Sequence, residues 1–139
     1  MVDDFQGARL MLEAVLKSAG YSDVLCAESA EAAFDRLGLV EPGGNTARVD
    51  LILMDVGMPG IDGIEACRRI KAVPWLKDIP IIMVTGLEDP AALELAFAAG
   101  AVDYVTKPLN KVEMLARIRS ALDLKLEMDR RKLTHVSDL

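Results

Sequence analysis

The sequence predicts an open, doubly wound α/β domain built on a parallel sheet, and three observations predict it. Short apolar runs alternate with helix-period segments along the chain. Two of the runs, Leu51-Ile52-Leu53-Met54 and Ile79-Pro80-Ile81-Ile82-Met83-Val84, are continuous rather than alternating, as strands buried on both faces are. Glycines close the helical segments at Gly20 and Gly100, where a helix C-terminus calls for a left-handed residue.

The elements follow in order. Ala8, Met11, Leu12, Val15 and Ala19 recur at helical spacing and predict a helix from Gln6 to Ala19. Val24-Leu25-Cys26-Ala27 is a short apolar run, and Ser29 is placed to cap a helix reaching Leu37. Glu41-Pro42-Gly43-Gly44-Asn45-Thr46 reads as a loop. A helix from Gly63 to Ala72 separates the two continuous runs, and an alanine-rich helix from Pro90 to Ala99 follows them. Val102-Asp103-Tyr104-Val105 is a short strand, and a last helix begins near Asn110.

Composition narrows the function classes. The 139 residues are 52% hydrophobic and 27% charged, as in a single folded domain. A net charge of −6 argues against direct binding of nucleic acid, which wants a basic face. No run approaches the ~20 apolar residues of a membrane span, and the start carries no basic-then-apolar leader, so the expectation is a cytoplasmic protein without a membrane role. Cys26 and Cys67 lack metal-ligand spacing and read as small buried hydrophobes. With His135 as the only histidine, neither a Ser-His-Asp triad nor a multi-histidine zinc site is expected.

Ligands of such sheets bind beyond the carboxyl ends of the strands. The residues following the apolar runs are Asp3 and Asp4, Asp55, Thr85 and Lys107. Carboxylates gathered on one rim repel unless a cation intervenes, and Mg²⁺ is the hard, oxygen-preferring ion that fits. Mg²⁺, Lys107 and the Thr85 hydroxyl could together neutralise a phosphoryl group, whose transfer needs little beyond positioning and charge stabilisation. The nucleophile would then be a carboxylate.

Four segments carry a specific resemblance. Asp55-Val56-Gly57-Met58-Pro59-Gly60-Ile61-Asp62-Gly63, Val84-Thr85-Gly86, Tyr104-Val105-Thr106-Lys107-Pro108 and the early Asp3-Asp4 pair resemble, in order, the signatures of response-regulator receiver domains of two-component signalling systems. The resemblance covers the chain to about Leu124. It implies a flavodoxin-like, five-stranded sheet of strand order 2-1-3-4-5. It implies Asp55 as phosphoacceptor, with Asp3, Asp4, Asp55 and the Gly57 carbonyl around Mg²⁺. Lys107 and Thr85 would bond phosphate oxygens, Thr85 and Tyr104 would switch together, and Pro108 would follow a cis peptide bond. The donor would be a histidine kinase or phosphotransfer protein, and the domain would promote its own phosphorylation rather than turn over a free substrate. The face around Phe97, Asp103, Tyr104 and Arg117 would meet a partner or a second copy. Gly57 and Leu87, the variable positions beside the site, cannot hydrogen-bond a hydrolytic water through a side chain, which points to shielding as the control of phosphate lifetime.

Two departures stand out. Only Met1 and Val2 precede Asp3, so the first strand is expected to be truncated or missing. Buried apolar side chains contribute ~1.5–3 kcal/mol each, against ~5–15 kcal/mol for a whole domain. A degenerate receiver, acting as an interaction or dimerisation module without phosphorylation, is therefore the alternative. Beyond the receiver at 1–124, residues 125–139 continue the spacing of Leu115, Ile118, Leu122, Leu126, Asp129, Leu133 and Val136, with one stutter and with Asp129 as one polar position. That heptad-like seam suggests a helical extension or linker toward an output module outside these residues.

Overall fold

A computed structural model of the chain describes residues 1–39, 48–86 and 90–137, with side chains described as far as Arg131. The order is α1 (Gln6–Ser18), α2 (Ala30–Leu37), β1 (Ile52–Asp55), α3 (Gly63–Lys71), β2 (Ile81–Thr85), α4 (Pro90–Ala98), β3 (Asp103–Thr106) and α5 (Lys111–Ser137). The loop expected at 41–46, and Leu87, lie outside the described residues.

The helices start and stop for local reasons. The Ser29 hydroxyl accepts from Ala32 N–H and the Asp62 carboxylate from Glu65 N–H, each satisfying a donor that the first helical turn leaves free. Gly38 ends α2 at φ 69°, in the left-handed region. Asn110 Oδ1 accepts from Glu113 N–H at the start of α5.

The strands β1, β2 and β3 are parallel and adjacent in that order, with Ile52 opposite Ile81 and Ile82 opposite Asp103. Their side chains alternate between two cores. Ile52, Met54, Ile81 and Met83 pack with Ala33, Leu37, Ala66, Cys67, Ile70 and Ala96 of α2, α3 and α4. Leu53, Ile82, Val84 and Val105 pack with Leu12, Leu16, Met114, Ile118 and Ala121 of α1 and α5. Helices therefore cover both faces of a parallel sheet, which is why β1 and β2 are buried at every position.

Where five strands were expected, the described residues form a sheet of three. The apolar run 24–27 is not a strand, and neither is the N-terminus. Val2 instead makes isolated parallel bridges to Ala27 on one side and Met54 on the other. The bridges still suffice to place Val2 between residue 27 and β1, with Val2 N–H donating to Leu53 O at 2.8 Å and Asp55 N–H to Val2 O at 2.9 Å.

Candidate functional site: an acidic pocket at the strand ends

The parallel register sets the site. Asp55 is the last residue of β1, Thr85 the last of β2, and Lys107 follows β3. Asp55 is opposite Val84 and Thr85 opposite Thr106, and Lys107 N–H donates to Thr85 O at 2.8 Å. The Asp55–Val2 bond brings Asp3 and Asp4 to the same rim. Asp3, Asp55 and Thr85 are buried, whereas Asp4 is exposed.

Carboxylate oxygens of Asp3, Asp4 and Asp55 lie within 4.8 Å of one another. Lys107 Nζ is 3.1 Å from Asp55 Oδ1 and 3.9 Å from Asp3 Oδ2, a direct ion pair with the first and a longer one with the second. Gly57 N–H donates to Asp55 Oδ1 at 3.4 Å, and Phe5 N–H donates to Asp3 Oδ1 at 2.9 Å. Burial pushes the Asp3 carboxyl above its ordinary range; the Phe5 N–H opposes this, Asp55 adds to it, Lys107 opposes it and Asp4 adds to it. Three carboxylates and one lysine leave the pocket short of positive charge, and the donor set is all oxygen. Both features fit a hard divalent cation such as Mg²⁺.

The residues expected at the site thus converge: Asp3, Asp4, Asp55, Thr85 and Lys107 share one rim, and the Lys107–Pro108 peptide bond is cis. Gly57 reaches Asp55 through its N–H. Tyr104 is half-buried, its ring edge-on to Phe97 at 6.0 Å and 77°. Beside it, Arg117 Nη1 donates to both oxygens of Asp103 at 2.9 Å. Of the two cysteines, Cys67 is buried and its thiol is pushed up to about 11, while Cys26 is only half-buried.

Sequence reasoning passed over two supports. Arg9, on α1, donates through Nη1 to the Asp3 carbonyl at 2.7 Å, fixing the backbone that carries the pocket. Gly63 stands where a Cβ would collide with the Asp55 carbonyl, 2.8 Å from its carbon and 2.9 Å from Val56 Cα. Its N–H donates to Val56 O at 3.0 Å, so α3 begins directly against the end of β1. The Asp62-Gly63 pair carried that signal; nothing in the sequence marked Arg9.

A sheet wound on both faces, with an acidic rim, a lysine and a hydroxyl at its strand ends, defines the class of receiver proteins. Residues 1–119 match the family model described as "Response regulator receiver domain", and the chain belongs to that family. Among curated relatives it is 40% identical over 122 residues to the transcriptional regulatory protein YvrH of Bacillus subtilis, covering 88% of this chain and 47% of that protein. It is 36% identical over 136 residues to the cyclic di-GMP phosphodiesterase response regulator RpfG of Xanthomonas campestris, covering 93% of this chain and 32% of that protein. The chain therefore spans less than half the length of either relative. Among solved structures, a response regulator from Chloroflexus aurantiacus superposes with TM-score 0.76 at 38% identity, over 88% of this chain and 93% of that one. The chemotaxis response regulator CheY4 of Vibrio cholerae also gives 0.76, at 29% identity, over 86% of this chain and 93% of that one. Among the described residues no helix is long and apolar enough to cross a membrane.

Proposed function

We propose that this domain is a phosphoacceptor switch in which Asp55 takes a phosphoryl group from a phosphohistidine on a partner kinase or phosphotransfer protein. A carboxylate oxygen of Asp55 forms the new bond to phosphorus as the phosphorus–nitrogen bond breaks. The electron pair remains on the imidazole nitrogen, which takes a proton from solvent. The observation that carries this reading is the Lys107 Nζ–Asp55 Oδ1 contact at 3.1 Å inside the acidic cluster.

Asp3, Asp4 and Asp55, with the Gly57 carbonyl, would hold Mg²⁺, which supplies charge neutralisation of the phosphoryl oxygens. Lys107 holds the Asp55 carboxylate at rest and transfers its donors to a phosphate oxygen afterwards. The Thr85 hydroxyl bonds a second oxygen, and Tyr104 turns as Thr85 moves, altering the face that carries Phe97, Asp103 and Arg117. Residues 1–124 form the receiver. Residues 125–139, the end of a helix unbroken from Lys111 to Ser137, carry the change toward an output module. The positions at Val2 and Ala27 correspond to the first and second strands of a 2-1-3-4-5 sheet.

Exposure to acetyl phosphate with Mg²⁺, read by intact mass beside Asp55→Ala, tests this. One added phosphoryl group in the wild type alone is expected. A folded wild type that gains none would favour the interaction module without phosphorylation, the reading that the bridge-only N-terminus supports.

A further inference from the structure

Arg9 carries a half-buried guanidinium on α1, and among the described residues it forms no ion pair with a carboxylate. A guanidinium ordinarily takes a carboxylate, whose two oxygens its planar fork matches. Here the Asp3, Asp4 and Asp55 carboxylates are clustered at the adjacent rim. Arg9 Nη1 nevertheless donates to the backbone carbonyl of Asp3, at 2.7 Å.

That contact closes a circuit. Phe5 N–H donates to Asp3 Oδ1 at 2.9 Å, Arg9 N–H donates to Phe5 O at 3.2 Å, and the Arg9 side chain returns to Asp3 O. Phe5 precedes α1 without a side-chain cap bond, so these three bonds hold the turn that leads from the pocket into the helix. On the other side, Asp3 N–H donates to Ala27 O at 3.1 Å. The Asp3 carbonyl and the Asp4 nitrogen belong to one planar peptide. Fixing that carbonyl therefore fixes the point from which the Asp4 side chain departs. Asp4 is exposed, and among the described residues its carboxylate has no hydrogen bond or ion pair to aim it.

We propose that Arg9 is a positioning residue for the metal site, whose grip on the Asp3–Asp4 peptide holds both carboxylates where one divalent cation can take them together. The proposal rests on the reading of Asp3 and Asp4 as Mg²⁺ ligands. Contact through the carbonyl leaves the carboxylate oxygens free for the ion, whereas a guanidinium paired to either carboxylate would compete with it. Ligands held in place before the ion arrives need less ordering when it binds. Groups that orient metal ligands commonly account for about 10- to 100-fold in metal affinity.

Charge and position predict opposite signs. Arg9 brings a positive charge to the side of an acidic cluster, so removing that charge would by Coulomb's law tighten the binding of a cation. Losing the hold on the Asp3 carbonyl weakens it.

Calorimetric titration with Mg²⁺ compares the wild type with Arg9→Met, which keeps an apolar stem and loses the donors. Binding weaker by about tenfold is expected in the variant, and equal or tighter binding overturns the proposal. In chelator, the Phe5 amide should exchange several-fold faster in the variant; unchanged exchange also overturns it. Modification by acetyl phosphate should slow at low Mg²⁺ and approach the wild-type rate at saturating Mg²⁺. A rate that stays low there, with a raised KM for acetyl phosphate, would assign Arg9 to the phosphodonor and overturn the positioning role. Should Arg9→Met fail to fold, Arg9→Lys carries the comparison, because its ammonium keeps the charge but lacks the fork and has a shorter reach. Weaker Mg²⁺ binding by that variant supports the proposal, and binding as tight as wild type overturns it. A wild type that binds no Mg²⁺ overturns both this proposal and the reading beneath it. A wild type that binds Mg²⁺ more tightly than the variant, yet is never modified, counts against the phosphoacceptor reading alone.

Discussion

Lys107 Nζ rests 3.1 Å from Asp55 Oδ1 although 52 positions of sequence separate the two residues. Asp55 is only 6% exposed, and an unpaired carboxylate at that depth would be costly. The lysine follows β3 and the carboxylate ends β1, with β2 between them, so the pair exists only once three parallel strands are in register.

Lys107→Met is therefore expected to lower stability in the absence of metal by about 1 kcal/mol, a partly exposed lysine being screened by water. Mg²⁺ should restore most of the loss by supplying the missing charge. Phosphorylation by acetyl phosphate should fall by at least about tenfold, since a donor to the phosphoryl group is lost. Urea melts with and without Mg²⁺, beside intact mass, read both effects. A variant as stable as wild type in chelator would show that the pair contributes nothing.

Gly63→Ala forces a Cβ into the backbone of Asp55 and Val56. Backbone cannot swing aside as a side chain can, so a loss of about 1–3 kcal/mol is expected. Gly57→Ala, whose Cβ would meet nothing within 4 Å, should stay within about 0.5 kcal/mol of wild type. Similar thermal midpoints for the two variants would refute the close approach.

Asp3→Asn separates metal binding from packing. Mg²⁺ at a hundred times its dissociation constant should stabilise the wild type by about 2.7 kcal/mol, and the variant scarcely at all. Without metal the ordering reverses: the variant should melt higher, because Asp3 is buried beside Asp55 and Asp4 at a cost to its charged form. Calorimetric scans in Mg²⁺ and in chelator give both comparisons.

Lys71 supplies the pH dependence. Its Nζ donates to Lys77 O at 2.9 Å and to Ile79 O. Burial lowers its ammonium below 10.5, against smaller opposing effects of Cys67 and Asp78. Between that lowered value and 10.5 the unfolded chain binds more protons than the folded one, so stability contributed by this group rises with pH. The stability of wild type minus that of Lys71→Met should grow with pH across this window. A difference that is flat or shrinks would show that the folded protein does not lower the pKa of this lysine.

Removal of residues 125–139 should leave the receiver folded. Ala121 is the last buried position described in α5, and the Lys125–Asp129 and Arg131–Glu127 ion pairs that would be lost are i, i+4 contacts worth about 0.3–0.5 kcal/mol each. Stability within about 1 kcal/mol of the full chain, with unchanged Asp55 modification, is expected from urea melts and intact mass. Collapse of the shortened chain would place the domain boundary later.

Much of the fold was legible because burial writes itself into periodicity. Ile52-Leu53-Met54 and Ile81-Ile82-Met83-Val84 face a core on both sides, so their uninterrupted apolarity announced parallel strands. The helix limits at Ser29, Asp62 and Gly38 were local chemistry as well. Asp55 and Thr85 were legible because each directly follows such an apolar run, at the ends of β1 and β2, and Lys107 because it directly follows the short run that became β3, so naming the strand ends named the rim. What the linear order could not carry was contact between distant backbones. Whether two residues before Asp3 could still seat it depended on bonds from Val2 to Leu53 and from Asp55 to Val2, which the fold alone creates. The same holds for the Arg9 guanidinium on the Asp3 carbonyl and for the missing Cβ at Gly63. Each depends on what approaches a residue through space, and only tertiary packing determines that.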